Sequence, residues 1–199
     1  PQKLLSFEKF LADNPSYVGK VQLIQIAVPT RVDVQEYQEL RSIVERKVGE
    51  VNGKFGKVNY TPVKYINKSI SLNELLALYR KADVLLVSSL RDGMNLVCLE
   101  YVMAQDNASP GVVLLSEFAG AKATLSHAIS INPHNILGTS KKIKTAIEMS
   151  KKEKAEGDDR KKDDKIEAET EKMRFKEALD EINELKAELN EVNLLNAKL

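Results

Sequence analysis

Between two stretches of helical spacing the chain places Val84-Leu-Leu-Val87, four apolar residues with no polar interruption. A strand with one wet face alternates apolar and polar residues. A short run that is apolar throughout is the pattern of a parallel strand covered on both faces by helices. Such a strand needs parallel neighbours and crossover helices, and the first 150 residues supply candidates for both. Residues 4–12 carry Leu4, Leu5, Phe7, Phe10 and Leu11 at helical spacing. Asn14-Pro15 ends that helix, because a residue before proline avoids the helical region. Residues 21–28 read as a strand stopped by Pro29. A helix is expected from Asp33, with Asp33 and Glu36 as a weak capping box. Its apolar stripe is Tyr37, Leu40, Val44 and Val48, and Asn52-Gly53 with Gly56 should break it. Residues 58–66 form a second strand, edge or bent on account of Pro62. Ser71 and Glu74 make a full capping box for the next helix. After the apolar run come a helix at 96–104, strands at 111–115 and 128–131, and a last helix at 140–149. The run at 84–87 should be the most buried strand. Strands alternating with helices over short loops predict right-handed crossovers and an α/β, Rossmann-like parallel sheet flanked by helices.

The rest of the chain differs in kind. Residues 1–150 hold 18 Lys+Arg against 14 Asp+Glu, and residues 151–199 hold 12 against 15. The last segment has one aromatic residue, Phe175, and is too polar to build a core of its own. We therefore divide the chain into an α/β domain at 1–150, a charged linker at 151–165 and a coiled-coil helix at 166–199. The heptad places Ala168, Phe175, Ile182, Leu189 and Asn196 at a, with Glu171, Ala178, Leu185, Val192 and Leu199 at d. This pattern is expected to pair two copies in a homodimer, against the alternative of a lone solvated helix held by charge pairs. The net charge of +1 gives no reason to expect nucleic acid or an acidic membrane as a partner. No apolar run approaches the length of a spanning helix. One cysteine, Cys98, excludes a disulfide framework and suits a cytoplasmic setting. The chain begins at Pro1 rather than Met, as expected of a processed or partial chain.

In a parallel sheet, ligands sit beyond the carboxyl ends of the strands. The loops there are 29–32, 65–70, 88–95, 117–121 and 132–136. The third carries the most chemistry. Gly93 permits a turn and close approach of a ligand to the backbone. The amides of Met94, Asn95, Leu96 and Val97 would point outward at a helix start, where anions bind. Asp92 is placed to accept hydrogen bonds from hydroxyls, and Glu100 could reach a sugar diol one to two turns on. The pattern suggests a phosphate-bearing sugar ligand. The plainer alternative is that Asp92 caps the helix and Glu100 lies on a solvated face. His127 and His134 lack ligand spacing around them and read as surface residues. Cys98 reads as packing rather than nucleophile.

Arg91-Asp-Gly-Met-Asn-Leu-Val97 with Glu100-Tyr101 resembles the donor-binding motif of the trehalose-6-phosphate synthase family. Pro1-Gln-Lys-Leu4, Val28-Pro-Thr-Arg31, Asn52-Gly-Lys-Phe-Gly56 and Ser116-Glu-Phe-Ala-Gly-Ala121 agree in the family's order. The resemblance covers about residues 1–150. It implies the C-terminal half of a GT-B fold, in which two Rossmann-like domains face a cleft. It also implies transfer of glucose from UDP-glucose to glucose-6-phosphate with retention, with no cofactor and no metal.

On this resemblance Asp92 would bind hydroxyls of the donor glucose, helped by the amides of Gly93, Met94 and Asn95. The amides of Leu96 and Val97 would hold the diphosphate. Glu100 would bind the ribose, and the backbone at Ile66 and Asn67 would meet the uracil. Arg31 would face the acceptor's phosphate, where the plainer alternative is an ion pair with Asp33 or Glu36. The family's two cationic phosphate ligands fall just before Pro1, and its N-terminal domain is also outside this chain. The usual Arg-Gly-Asp is Arg31-Val32-Asp33 here. Two functions follow as expectations. One is the donor-binding part of such an enzyme, inactive alone. The other is a non-catalytic regulatory or scaffolding protein that binds nucleotide sugar and assembles through its coil.

Overall fold

The computed structural model describes residues 1–29, 34–105 and 110–156, with side chains to residue 150. Arg31, the linker beyond residue 156 and the heptad segment 166–199 lie outside the described residues. The chain divides into two compact units, Pro1–Ala155 and Glu156–Leu199, and the fold below belongs to the first.

Its elements alternate as the pattern requires. Helix α1 (Gln2–Asp13) leads through a short turn at Pro15–Tyr17 to strand β1 (Leu23–Ile26). Helix α2 (Gln35–Phe55) and strand β2 (Val63–Ile66) follow, then α3 (Leu72–Lys81) and β3 (Val84–Val87). Helix α4 (Leu96–Ala104), β4 (Val112–Ser116), β5 (Ile129–Ile131) and α5 (Ile136–Glu156) complete the unit. All strand pairs are parallel. They form two ladders rather than one continuous sheet: β1 with β2, and β3–β4–β5. No helix among the described residues is long and apolar enough to cross a membrane.

One core serves both ladders. Phe7, Phe10 and Leu11 of α1 pack with Val51 of α2, Val63 of β2, Leu114 of β4, Ile131 of β5 and Ala146 of α5. Ser71 closes its predicted capping box, accepting from the Glu74 amide while the Glu74 carboxylate accepts from the Ser71 amide at 2.9 Å.

Four expectations change. The most buried strand is β4, all five residues of which are buried, whereas β3 is half-covered from Val84 to Leu86. The apolar run was read correctly as parallel, but it lies at the open side of its ladder. Helix α2 has Val34 in its cap position, and the expected cap Asp33 lies outside the described residues. Asn52-Gly53 does not break α2, because the Asn52 amide clasps the Val63 backbone in both directions, at 2.9 and 2.8 Å. The helix stops at Gly56, where a Cβ would lie 2.3 Å from the Asn52 carbonyl oxygen. Finally, the second strand begins only after Pro62. A tight antiparallel bridge between Lys57 and Tyr60 occupies the segment read as its first half.

Candidate functional site

The loop after β3 is tied to the loop after β4. Buried Ser116, the last residue of β4, donates its hydroxyl to the Ser89 carbonyl at 2.6 Å. The same oxygen accepts from the Phe118 amide at 3.2 Å. The Asp92 amide donates to the Phe118 carbonyl at 3.2 Å, and the Gly120 amide donates back to the Asp92 carbonyl at 2.9 Å. The two backbones come so close that a Cβ on Gly120 would meet the Gly93 carbonyl oxygen at 2.0 Å. Only glycine fits there, so residue 120 sets how near the loops approach.

That clamp presents the predicted motif. The Asp92 carboxylate accepts from the Ser89 hydroxyl at 3.1 Å and from the Asn95 side-chain amide at 2.8 Å. Asn95, not Asp92, caps α4: its oxygen accepts from the Cys98 amide at 3.0 Å. The plain capping alternative for Asp92 is therefore ruled out. Half-buried Asp92 keeps one carboxylate oxygen that no intramolecular bond of the loop engages. Gly93, Met94 and Val97 are exposed, and a Cβ on Gly93 would touch nothing within 4 Å, so space lies open over the loop. Gly93 does not adopt a left-handed conformation, so the turn itself does not require glycine. The amides of Leu96 and Val97 belong to the first turn of α4, where a helix provides no carbonyl partner. Together they form a cradle of N–H donors at the positive end of a helix dipole.

One turn on, the Glu100 carboxylate accepts from the Tyr79 hydroxyl at 3.2 Å. Burial of the Tyr79 ring and the neighbouring Glu100 charge push that phenol well above its ordinary range, so it stays protonated and donating. Tyr79 stacks edge-to-face on Tyr101, ring centres 6.0 Å apart. Tyr101 in turn donates to the Ala82 carbonyl at 2.8 Å. Glu100 is thus aimed by two buried rings rather than lying loose on a solvated face. Cys98 is fully buried, and burial raises its thiol pKa, which suits packing and not nucleophilic attack.

Ile66 and Asn67 end β2. The Ile66 carbonyl accepts from the Ala27 amide at 2.9 Å. In the orientation that satisfies both ends of its amide, Asn67 donates to the Ala27 carbonyl at 3.1 Å. It then accepts from the Arg41 Nε and Nη2 at 2.9 Å each. Asn67 lines a cavity of about 950 Å³ together with Lys3, Val28, Arg41, Ser88 and Leu90. Ile66 does not line it, and residues 92–100 lie beyond it.

The structure therefore gathers Asp92 to Glu100 on one framework, sets Asn67 across a cavity shared with the start of that loop, and leaves Arg31 outside the described residues. Sequence reasoning missed Ser89, Ser116, Tyr79, Arg41 and Lys3. Arg41 pairs with Glu45 at 2.7 Å, a spacing that reads as an ordinary helix-surface pair. Lys3 reads as the polar side of α1. Lys3 is half-buried, and desolvation of its ammonium lowers its pKa to about 8. His134 packs edge-on against Phe118 at 5.9 Å, and His127 lies beside the Ser126 hydroxyl. Among the described residues no group of three or more His, Cys, Asp or Glu side chains is close enough to hold a metal ion.

Known proteins resemble this chain in sequence and fold. The glycosyltransferase family 20 model matches residues 1–184. An α,α-trehalose-phosphate synthase (UDP-forming) of Candida albicans is 52% identical over 149 residues, covering 75% of this chain and 31% of that protein. One from Aspergillus niger is 51% identical over 150 residues, with the same shares. Among solved structures, the UDP-forming enzyme of Burkholderia xenovorans superposes with a TM-score of 0.74 at 42% identity, covering 77% of this chain and 35% of that one. An Escherichia coli protein described as bound with UDP-2-fluoro glucose gives a TM-score of 0.73 at 42% identity, over 75% and 33%. The chain thus spans about a third of the relatives it matches. A family match over most of its length shows that this chain belongs to glycosyltransferase family 20.

Proposed function

We propose that this chain is the donor-binding part of a retaining, UDP-forming trehalose-phosphate synthase that moves glucose from UDP-glucose to glucose-6-phosphate. The observation that carries the reading is the Asp92–Glu100 framework. It offers a carboxylate held by Ser89 and Asn95, open space over Gly93, amides at the start of α4, and a carboxylate aimed by Tyr79. In this reading Asp92 takes hydroxyls of the glucosyl group. The Leu96 and Val97 amides take the diphosphate, whose charge grows as the bond from glucose C1 to UDP breaks. Hydrogen bonds that strengthen as charge develops lower the barrier, and here backbone donors and the helix dipole supply them without a metal. Glu100 takes the ribose diol, and the backbone at Ile66 and Asn67 takes the uracil. Arg31 takes the phosphate of glucose-6-phosphate. The acceptor pocket would come from the N-terminal domain, and orientation of two substrates supplies a large share of the rate. The chain alone is then inactive.

Titration calorimetry of the chain with UDP and with UDP-glucose tests this. Weak binding of both is expected. Glu100→Ala should weaken both ligands, and Asp92→Asn should weaken UDP-glucose far more than UDP. Equal loss of both ligands with Asp92→Asn would take that residue off the sugar and defeat the assignment. In the full-length enzyme, Arg31→Ala should raise KM for glucose-6-phosphate and leave KM for UDP-glucose near its original value. The heptads at 166–199 carry a second element of the reading, a homodimer through the tail. Sedimentation should then show a dimer that Leu185→Asp with Leu189→Asp returns to monomer.

A further inference from the structure

Among the described residues the Glu100 carboxylate has one hydrogen-bond donor, and that donor is held from three sides. It is the Tyr79 hydroxyl, 3.2 Å from Glu100 Oε2. Tyr79 stands in the last turn of α3 and is 7% exposed, while Glu100 is half-buried. The Tyr79 ring meets Tyr101 at an interplanar angle of 88°. Tyr101 is fully buried and bonded to the Ala82 carbonyl. Residue 111 leaves it no slack, since a Cβ on Gly111 would lie 1.8 Å from the Tyr101 hydroxyl oxygen. The Tyr79 carbonyl accepts from the Gln105 side-chain amide, whose oxygen accepts from the Gly111 amide at 2.8 Å. The end of α3, the end of α4 and the entry to β4 therefore hold one phenol in place.

The fixed phenol matters because of what a glutamate must do to hold two neighbouring hydroxyls. Both carboxylate oxygens have to face the diol in one plane. A glutamate side chain on a helix has several rotamers, and choosing one costs conformational entropy. The Tyr79 bond uses one lone pair of Oε2 and fixes the carboxylate plane. It leaves Oε1 and the remaining lone pair of Oε2 to donors from outside. Among the described residues no Lys or Arg side chain forms an ion pair with Glu100. Its acceptors are thus left for neutral hydroxyl donors. Ordering that a ligand would otherwise have to impose is done beforehand by the fold.

We propose that Tyr79 is a positioning residue for nucleotide selection: its hydroxyl sets Glu100 so that both carboxylate oxygens meet a vicinal diol, and the site thereby favours a ribonucleotide over one that lacks the diol. The proposal deepens the reading of Glu100 as the ribose ligand and rests on it. Tyr79 acts only through Glu100 and contributes no contact of its own to the ligand.

Calorimetry of the full-length protein with UDP and with dideoxyuridine diphosphate, the analogue without either ribose hydroxyl, tests it. The unaltered protein should prefer UDP, and Glu100→Ala should erase the preference. Tyr79→Phe removes one oxygen and keeps the ring on Tyr101. It should weaken UDP about fivefold to tenfold and change the analogue by less than about twofold, the order expected for freeing one side chain of several rotamers. Added to Glu100→Ala, it should change UDP binding no further, because the two residues act as a pair. Tyr101→Phe is the control: it removes a hydroxyl from the same ring pair, one bonded to Ala82 instead of Glu100, and should not separate the two nucleotides. If the unaltered protein shows no preference, or Glu100→Ala keeps it, the ribose reading falls and takes the proposal with it. If Glu100→Ala erases the preference but Tyr79→Phe weakens both nucleotides equally, or neither, the reading stands and the proposal alone is overturned. It is overturned in the same way if Tyr101→Phe reproduces the selective loss, since the packed rings and not the Tyr79 hydroxyl would then set Glu100.

Discussion

The ladder β3–β4–β5 and the ladder β1–β2 use the same parallel pairing but are finished to different degrees. Around β4 every residue is buried, the Ser116 hydroxyl is doubly engaged, and two loops lock through Asp92 and Gly120. Around β1, Ile24 is 41% exposed and β1 has no buried residue. The stripe of α2 predicted for the core is split as well: Val48 is buried, while Tyr37 and Leu40 stand exposed at the cavity. The comparison teaches that the Asp92–Glu100 framework is preorganised by the well-buried ladder around β4 and by Tyr79 of α3. Asn67, by contrast, ends the more exposed pair β1–β2.

The sharpest way to break this comparison is to cut equal pieces from both ladders. Leu114→Ala removes a fully buried side chain at the centre of β4 and should cost about 2–5 kcal/mol in urea denaturation. Ile24→Ala removes a side chain already partly in water and should cost under about 1 kcal/mol. Equal losses would mean that the two ladders are equally complete.

A smaller effect is expected at the clamp between the loops. Gly120→Ala forces a methyl group toward the Gly93 carbonyl and should cost about 1–3 kcal/mol. Because the displaced group belongs to the motif, UDP-glucose binding should fall as well. Stability loss with unchanged binding would show that the framework does not depend on the clamp. Below it comes Ser116→Ala, expected to cost about 1 kcal/mol or somewhat more, since it leaves the Ser89 carbonyl and the Phe118 amide to find other partners. A thermal scan suffices to measure it.

How legible the molecule was follows the same division. The α/β alternation, the capping box at Ser71 and the helix after Asn95 could be read because spacing and caps are local signals. The motif from Asp92 to Glu100 could be read because it is contiguous. What supports it could not. Ser116, Tyr79 and Gly120 act on residues 27, 21 and 27 positions away in sequence, through single contacts that have no period. The rank of β3 and β4 was inverted because an unbroken apolar run specifies two covered faces and says nothing about whether both edges are paired. Asn52-Gly53 misled for a related reason. Turn chemistry is a local preference, and two bonds from Asn52 to Val63 override it.

A last effect probes the cavity beside β1 directly. Lys3 lines the cavity and carries an ammonium whose pKa falls from 10.5 to about 8, because burial disfavours its charged form. A folded-state pKa below the unfolded value means that the folded chain releases this proton first. Between about pH 8 and 10.5 the unfolded chain therefore holds more protons, and the contribution of Lys3 to stability rises with pH across that window. Below pH 8 both states are charged and the desolvated ammonium weighs against folding. Lys3→Met keeps the length of the side chain and removes the charge. It should raise stability slightly at pH 7 and flatten the rise above pH 8. Denaturation midpoints at pH 7, 8.5 and 9.5 decide the matter: parallel profiles for the two proteins would mean that water reaches this ammonium freely. A flattened profile for Lys3→Met would instead show that the cavity already withholds water from a charge at its wall.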